Sequence, residues 1–408
     1  MKLLFVASRF PYPPFNGDQV RAYHHLRVLS RRHEIVLLAP EPTENPGASL
    51  EAIAPFCAHV ELVRPSRMKA IARLARAPFQ RLPLQTLVFY DPEIGRRASR
   101  LARTWNVDLV HVQMIRMAPV VQLLDTDLPR VVDLIDSMAV NLSRQAKRSR
   151  PPKSWLAAWE AGRVETYERK LLEQFDQLVI SSPIDRSAIG EYDNLHVVAN
   201  GVDLAAHPLV TAERDPNGIV FTGTMWYFPN VDAAQWFVSD VLPLVRRELP
   251  DTTLTVVGAR PLPAVTRLAQ VRGVTVTGRV PSVHEYVARA SVAVAPMRSG
   301  SGIQFKIIEA MATGTPVVAT PTATVGLRAV AERDLLVGEG AEGFAAQVVR
   351  MLRDPELRGR LARNALDLVR DTYTWERTVD VLESVYDRAR EGRSVAAFTG
   401  AVRVGSDS

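Results

Sequence analysis

Short runs that are apolar at every position alternate along the chain with longer stretches of helical period. In the first half "KLLFVAS", "EIVLLAP", "HVELV", "DLVHVQ", "RVVDLID" and "QLVIS" read as strands. In the second half "GIVFTGT", "TLTVVGA", "VTVTG", "SVAVAP", "PVVAT" and "LLVG" do. Continuous rather than alternating apolar strands are buried on both faces, which means parallel sheets covered by helices. The pattern predicts two doubly wound α/β halves joined near "NGVDLAAHP" (200–208), a comfortable division for 408 residues. No residue-level repeat relates the halves, and the tail 393–408 reads as disordered.

Open α/β sheets bind ligands beyond the carboxyl ends of their strands. The loop "MRSGSG" follows one such strand and leads into "IQFKIIEAMATG", where Ile303, Ile307, Ile308 and Met311 recur at helical spacing. A helix N-terminus offers unpaired N–H groups and a positive dipole end, which suit a phosphate. Gly300 and Gly302 would let phosphate oxygens approach the backbone, and Arg298 and Lys306 add cations on either side. Glu309 shares a face with Lys306 and has the chemistry to accept from two ribose hydroxyls. A capped surface helix with an i,i+3 Lys–Glu pair leaves both glycines unexplained.

"GSGIQFKIIEAMATGTPVVAT" resembles the signature helix of the family-4 (group 1) retaining glycosyltransferases of the GT-B fold. The similarity covers nearly the whole chain. "NGVD" (200–203) is similar to the family's interdomain segment and "VFTGTMWYFPNVDAAQWF" (220–237) to its donor-domain opening. "VTGRVPSVHEYVARASVAVAP" (276–296) resembles the nucleobase-side region, which carries Arg279 and Val280. "YTWERTVDVLESVY" (373–386) resembles the terminal helix. The wording of "FTGTMWYFPNVDA" and "GSGIQFK" is nearest to a bacterial branch linked with exopolysaccharide assembly.

The resemblance implies two Rossmann-like parallel-sheet domains facing across a cleft. Residues 1–205 would be the acceptor side, joined by a returning helix at 375–392, and 206–374 the nucleotide-sugar donor side. It implies transfer of a sugar from a nucleotide diphosphate with retention and without a metal, to a glycan or lipid-linked acceptor. Carried over, Glu309 matches the second Glu of the E-x7-E motif, while Ser301 stands where the first would fall. Ser301, Gly302 and Ile303 would supply N–H groups to the diphosphate. After Gly223, many members have an Arg and then a Lys where this chain has Thr224 and Asn230. That leaves Arg298 and Lys306 to carry the charge, with Arg21 helping on domain closure.

In the first domain "NGDQVR" resembles the family's glycine-rich loop, with Gly17 in place and Asn16 where a second glycine is common. An Asn-Gly turn explains the same residues. His111 and Gln113 stand where many members have two histidines. His111 reads as structural or acceptor-side. Asp133 and Asp136 lie near a strand end, and Asp136 would either orient an acceptor hydroxyl or cap a helix.

Composition narrows these alternatives. The apolar share of 47% and charged share of 23% are those of a globular protein. Cys57 is the single cysteine, which excludes an intrachain disulfide and suits a reducing cytoplasm. The N-terminal apolar run is too short for a signal-peptide core or a membrane span. Neither half carries the GxGxxG dinucleotide fingerprint after its first strand, which disfavours a nicotinamide oxidoreductase.

Of the net charge of +6, residues 64–103 carry ten Lys/Arg against two acids, and 144–153 carry five with none. These runs are either solvated helix faces or a surface for an anionic membrane, with the enzyme on its cytoplasmic leaflet. "RMKAIARLARAPFQRL" interleaves apolar and basic residues as an interfacial helix does. The aromatic interleaving of a nucleic-acid binder is missing. Two rivals stand beside the transferase: a sugar-nucleotide epimerase on the same double fold, and a non-catalytic nucleotide-sugar-binding partner of a polysaccharide assembly complex.

Overall fold

The structure is a computed structural model. It describes the chain except residues 44, 65, 76, 78, 79, 81, 125, 126, 207–213, 300–302 and 405–408, and only the backbone at 67, 148 and 393–404. The chain divides into two compact units, Met1–Asn200 with Thr378–Ser408, and Gly201–Arg377.

Unit 1 holds seven strands: β1 (Lys2–Val6), β2 (Glu34–Pro40), β3 (His59–Val63), β4 (Leu109–Gln113), β5 (Arg130–Ile135), β6 (Gln177–Ile180) and β7 (Leu195–Val197). All pair parallel in the order β3-β2-β1-β4-β5-β6-β7. β1 and β4 are buried along nearly their whole length, as their unbroken apolar runs require. The strand pattern omitted β7, whose three residues are too few to form a run.

Unit 2 holds β8 (Asp215–Thr222), β9 (Thr253–Val257), β10 (Val274–Gly278), β11 (Ala290–Ala295), β12 (Val317–Ala319) and β13 (Leu336–Val337), parallel in the order β10-β9-β8-β11-β12-β13. All six correspond to runs read from the sequence. Both units are therefore Rossmann-like, with the order reversing beside the first strand of each. Within unit 2 the chain start pairs with its end, Val202 N–H donating to Tyr373 O at 2.6 Å. Gly201 makes the approach feasible, since a Cβ there would lie 2.5 Å from the Trp375 nitrogen.

The last helix, Trp375–Val404, extends into the segment expected to be disordered. That stretch contains no proline and several alanines, so nothing in it breaks a helix already nucleated upstream. Val379, Leu382, Val385, Tyr386 and Ala389 form its buried stripe. Among the described residues no helix is long and apolar enough to cross a membrane.

Candidate functional site

The order of the second sheet reverses between β8 and β11, and the loops leaving β8 and β9 frame a cavity of about 480 Å3. Its floor depends on a close backbone approach. A Cβ on Gly258 would stand 1.7 Å from the Gly223 carbonyl oxygen, so only glycine allows these loops to meet. One wall is Thr224, Tyr227 and Asn230, where the β8 loop enters helix Phe228–Trp236. The opposite wall is Gln304, Lys306 and Glu309 at the start of helix Phe305–Ala312. His284 and Val287, on helix Val283–Arg289, close the side.

Helix Phe305–Ala312 begins later than the spacing predicts. Gln304 is its N-cap, and Ile303 precedes it as a half-buried residue of the cavity lining rather than part of the helical stripe. Ile307, Ile308 and Met311 are buried as expected. Gly300, Ser301 and Gly302 lie outside the described residues.

Lys306 and Glu309 both line the cavity. The Lys306 ammonium donates to Asn230 Oδ1 at 2.6 Å and lies 4.5 Å from the centre of the Phe221 ring. Burial pushes its pKa down to about 7, against the opposing charge of Glu309. Asn230 in turn donates to Thr224 O at 3.1 Å. Helix Phe305–Ala312 is fixed by Thr313, whose hydroxyl donates to Glu309 O at 2.8 Å and meets His284 Nδ1 at 3.2 Å. With that hydroxyl proton spent, His284 must donate from Nδ1, which sets its tautomer. His284 and Thr313 carry no motif that a sequence search would single out, because their role rests on packing of two helices.

Arg298 departs from expectation. Its guanidinium forms a fork on Asp232, with Nη2 at 2.5 Å and Nε at 3.1 Å, and it does not line the cavity. Arg279, which is exposed, and Val280 follow β10 and are likewise outside the lining, while Gly223 is part of it.

In unit 1, Gly17 opens helix Gly17–Leu29. Arg21 is fully buried: Nε donates to Asp133 Oδ2 at 2.5 Å and Nη1 to Asn200 Oδ1 at 2.7 Å. Its expected reach toward a diphosphate is replaced by a structural ion pair. His111 is fully buried, stacked on Phe5 and bonded through Nδ1 to the Tyr386 hydroxyl at 2.9 Å. Burial lowers its pKa to about 4. Gln113 is buried and donates to Asp18 O. Both residues are structural in this arrangement. Asp136 remains exposed and accepts from Ser181 Oγ at 3.0 Å.

His25, His111 and Asp133 each place one ligand-type atom within 4.8 Å of the others. The Arg21 guanidinium already occupies Asp133, and a second positive charge would be repelled there.

A second cavity, about 490 Å3, lies beyond β1 and β2 in unit 1. Phe10, Tyr12, Phe15, Pro40, Val88 and Phe89 make it largely apolar. Its two charged residues are engaged, Arg9 by Asp18 and Glu41 by Arg64. The sequence reading did not find it, because its lining comes from four separate stretches of chain.

Comparison with known proteins agrees with this architecture. Residues 216–354 match the family model described as "Glycosyl transferases group 1". A glycogen synthase of Mycobacterium tuberculosis is 24% identical over 96% of each chain. Among solved structures, sucrose-phosphate synthase from Thermosynechococcus elongatus is similar with a TM-score of 0.66 and 17% identity, over 95% of this chain and 98% of its own. Anabaena Alr3699/HepE, solved with UDP, is similar with a TM-score of 0.62 and 13% identity, over 95% and 100%.

Proposed function

We propose that this chain, whose residues 216–354 match the model described as "Glycosyl transferases group 1" and whose fold is of the GT-B type, carries out a retaining, metal-independent transfer of a sugar from a nucleotide diphosphate. The observation that carries the proposal is the convergence of Lys306 and Glu309 on one cavity at the sheet's switch point. Glu309 accepts from the ribose hydroxyls. Lys306 meets the diphosphate, its charge restored when the anion arrives. The backbone of 300–302 and the helix N-terminus would hold the remaining phosphate oxygens. Uracil is the base to test first, since Alr3699/HepE was solved with UDP.

Among the described lining residues Glu309 is assigned to the ribose and His284 is held at Thr313, so in this reading the leaving phosphate takes the acceptor proton on the same face. The acceptor is a glycan or a lipid-linked sugar, and the setting is cytoplasmic assembly of exopolysaccharide or another cell-surface glycan. One observation favours a second reading, a nucleotide-sugar-binding partner without turnover. With Thr224 and Asn230 in the cationic slots and Arg298 on Asp232, Lys306 is the one Lys or Arg among the described lining residues to face a diphosphate whose charge grows as it leaves.

Thermal shift against nucleoside diphosphates and their sugars tests the donor site, with wild type beside Glu309→Ala. Saturating ligand at a hundredfold excess over Kd stabilises by about 2.7 kcal/mol. A shift with one sugar nucleotide, lost in Glu309→Ala, supports the donor site. No shift with any of them refutes it. Release of nucleotide only when acceptor is present then separates the transferase from the inert partner.

A further inference from the structure

The basic surface of unit 1 differs from the one the sequence outlines. Of the basic residues in 64–103, Arg64 is held by Glu41, Arg73 by Asp91, Arg96 and Arg97 by Glu93, and Arg100 by Glu61. On helix Pro92–Trp105, Arg96, Arg97 and Arg100 are thus tied to Glu93 and Glu61, each carboxylate serving two arginines. What remains is a mixed apolar and basic edge on two other helices. On helix Arg67–Ala75, Met68 is 79% and Ile71 64% exposed, with exposed Lys69 between them. At the start of helix Lys153–Gln174, Trp155 is 70%, Leu156 56% and Trp159 45% exposed, beside exposed Arg150 and Lys153.

Both helices pack on the short helix Leu84–Phe89. Arg73 donates to Leu87 O at 2.9 Å, and Glu160 accepts from Leu84 N–H at 2.5 Å. Large apolar side chains left exposed in this number contribute little burial to the fold, although Arg163 lies 4.4 Å from the centre of the Trp159 ring. Tryptophans and long aliphatics next to exposed cations match the boundary of an anionic bilayer, where rings sit at headgroup depth and cations meet lipid phosphate. The first of these helices also supplies Ser66, its preceding residue, and Ala70 to the wall of the apolar 490 Å3 cavity.

We propose that unit 1 docks on an anionic lipid bilayer through Met68, Ile71, Trp155, Leu156 and Trp159, with Lys69, Arg150 and Lys153 gripping lipid phosphates, so that the acceptor is taken from the membrane. The acceptor clause rests on the transferase reading above, whereas the docking clause rests on unit 1 alone.

The test is co-sedimentation of the full-length protein with vesicles of phosphatidylcholine, and of phosphatidylcholine with phosphatidylglycerol in equal parts. Binding to the anionic vesicles should exceed binding to the neutral ones and fall with salt. Each cation is worth about fivefold, so Lys69→Gln with Arg150→Gln and Lys153→Gln should lose about a hundredfold. Ile71→Ser with Trp155→Ser, two exposed positions that the fold tolerates, should lose binding by about tenfold or more. Nucleotide thermal shift is measured on the same samples. Unchanged nucleotide binding in variants that no longer sediment assigns the loss to docking, whereas a nucleotide result that fails in wild type counts against the donor reading only. No sedimentation with either vesicle, or equal sedimentation of wild type and both variants, overturns the proposal.

Discussion

Lys306 and Asn230 are joined across 2.6 Å, ammonium to amide oxygen, in the lining of the unit 2 cavity. The amide stands where the family resemblance places a second cation, and it solvates the Lys306 ammonium, the one Lys or Arg among the described lining residues. Without a bound anion Lys306 is partly neutral at physiological pH, since burial sets its pKa near 7. An incoming diphosphate stabilises the ammonium and raises that pKa. Affinity for a sugar nucleotide should therefore be constant below about pH 7 and weaken as pH rises through it. A sugar nucleotide is the right probe, because its diphosphate carries no titrating proton in this range. Calorimetric titration from pH 6 to 9 reads the dependence, and a flat profile in wild type would count against Lys306 as the diphosphate cation.

The same residue should cost stability. Its folded pKa is lowered from 10.5 to about 7, so between those values the unfolded chain holds a proton that the folded chain lacks. Stability of the unliganded protein therefore rises with pH across that window, and the penalty is largest below about pH 7. Lys306→Met removes it. The variant should melt higher than wild type at pH 7 while losing its sugar-nucleotide shift, a trade of stability for function of the kind binding sites show. A variant that melts lower would mean the Asn230 bond outweighs the buried charge.

Asn230→Ala isolates the other partner. It removes the bond to Thr224 O and leaves the Lys306 ammonium without its amide, a loss of about 1–3 kcal/mol by the usual cost of unsatisfied buried groups. Part of that loss should appear as weaker donor binding, because the loop at Thr224 lines the cavity. Urea denaturation and donor titration on one preparation separate the two effects.

These relationships explain why some of the molecule was legible in sequence and some was not. The strands were, because burial on both faces leaves an unbroken apolar run such as "SVAVAP". Lys306 and Glu309 were, because loop and helix follow one another directly along the chain. Arg298 and Arg21 read as free for chemistry, and His111 as either structural or acceptor-side, because their partners are remote. Asp232 lies 66 residues away, Asp133 112 and Tyr386 275. A charge next to a motif looks available until the fold brings its counter-charge. Part of the basic run at 64–103 is held in the same way, since Glu41, which pairs with Arg64, and Glu61, which pairs with Arg97 and Arg100, lie outside that run.

Acid should weaken unit 1 specifically. His25 and His111 are fully buried with pKa values pushed down by desolvation, His111 to about 4 and His25 well below the usual 6.5. Arg21 beside them opposes protonation of both. Between pH 6.5 and 4 the unfolded chain takes up protons that the folded chain refuses, so stability falls as pH drops through that window. Calorimetry should show an early transition moving to lower temperature on acidification. Tyr386→Phe, which strips the hydroxyl from His111 Nδ1, should cost about 1–2 kcal/mol and loosen the last helix.

Arg298 and Lys306, the two cations read from the signature loop, should differ in their effect on turnover. The sequence assigns it a cation's share of the leaving-group charge, and loss of such a group typically costs two to three orders of magnitude in turnover. In the fold its two donors fork onto Asp232, it is about half exposed, and it takes no part in the cavity lining. A partly exposed pair of this kind contributes little beyond positioning the loop that follows. Arg298→Ala should therefore lower turnover by less than about tenfold, while Lys306→Met should lower it by about a hundredfold or more. Asp232→Asn supplies the control. If Asp232 keeps Arg298 away from the donor, releasing it should raise sugar-nucleotide affinity, and the double variant with Arg298→Ala should cancel that gain. Equal losses for Arg298→Ala and Lys306→Met would instead mean that the guanidinium leaves Asp232 for the diphosphate once the donor binds.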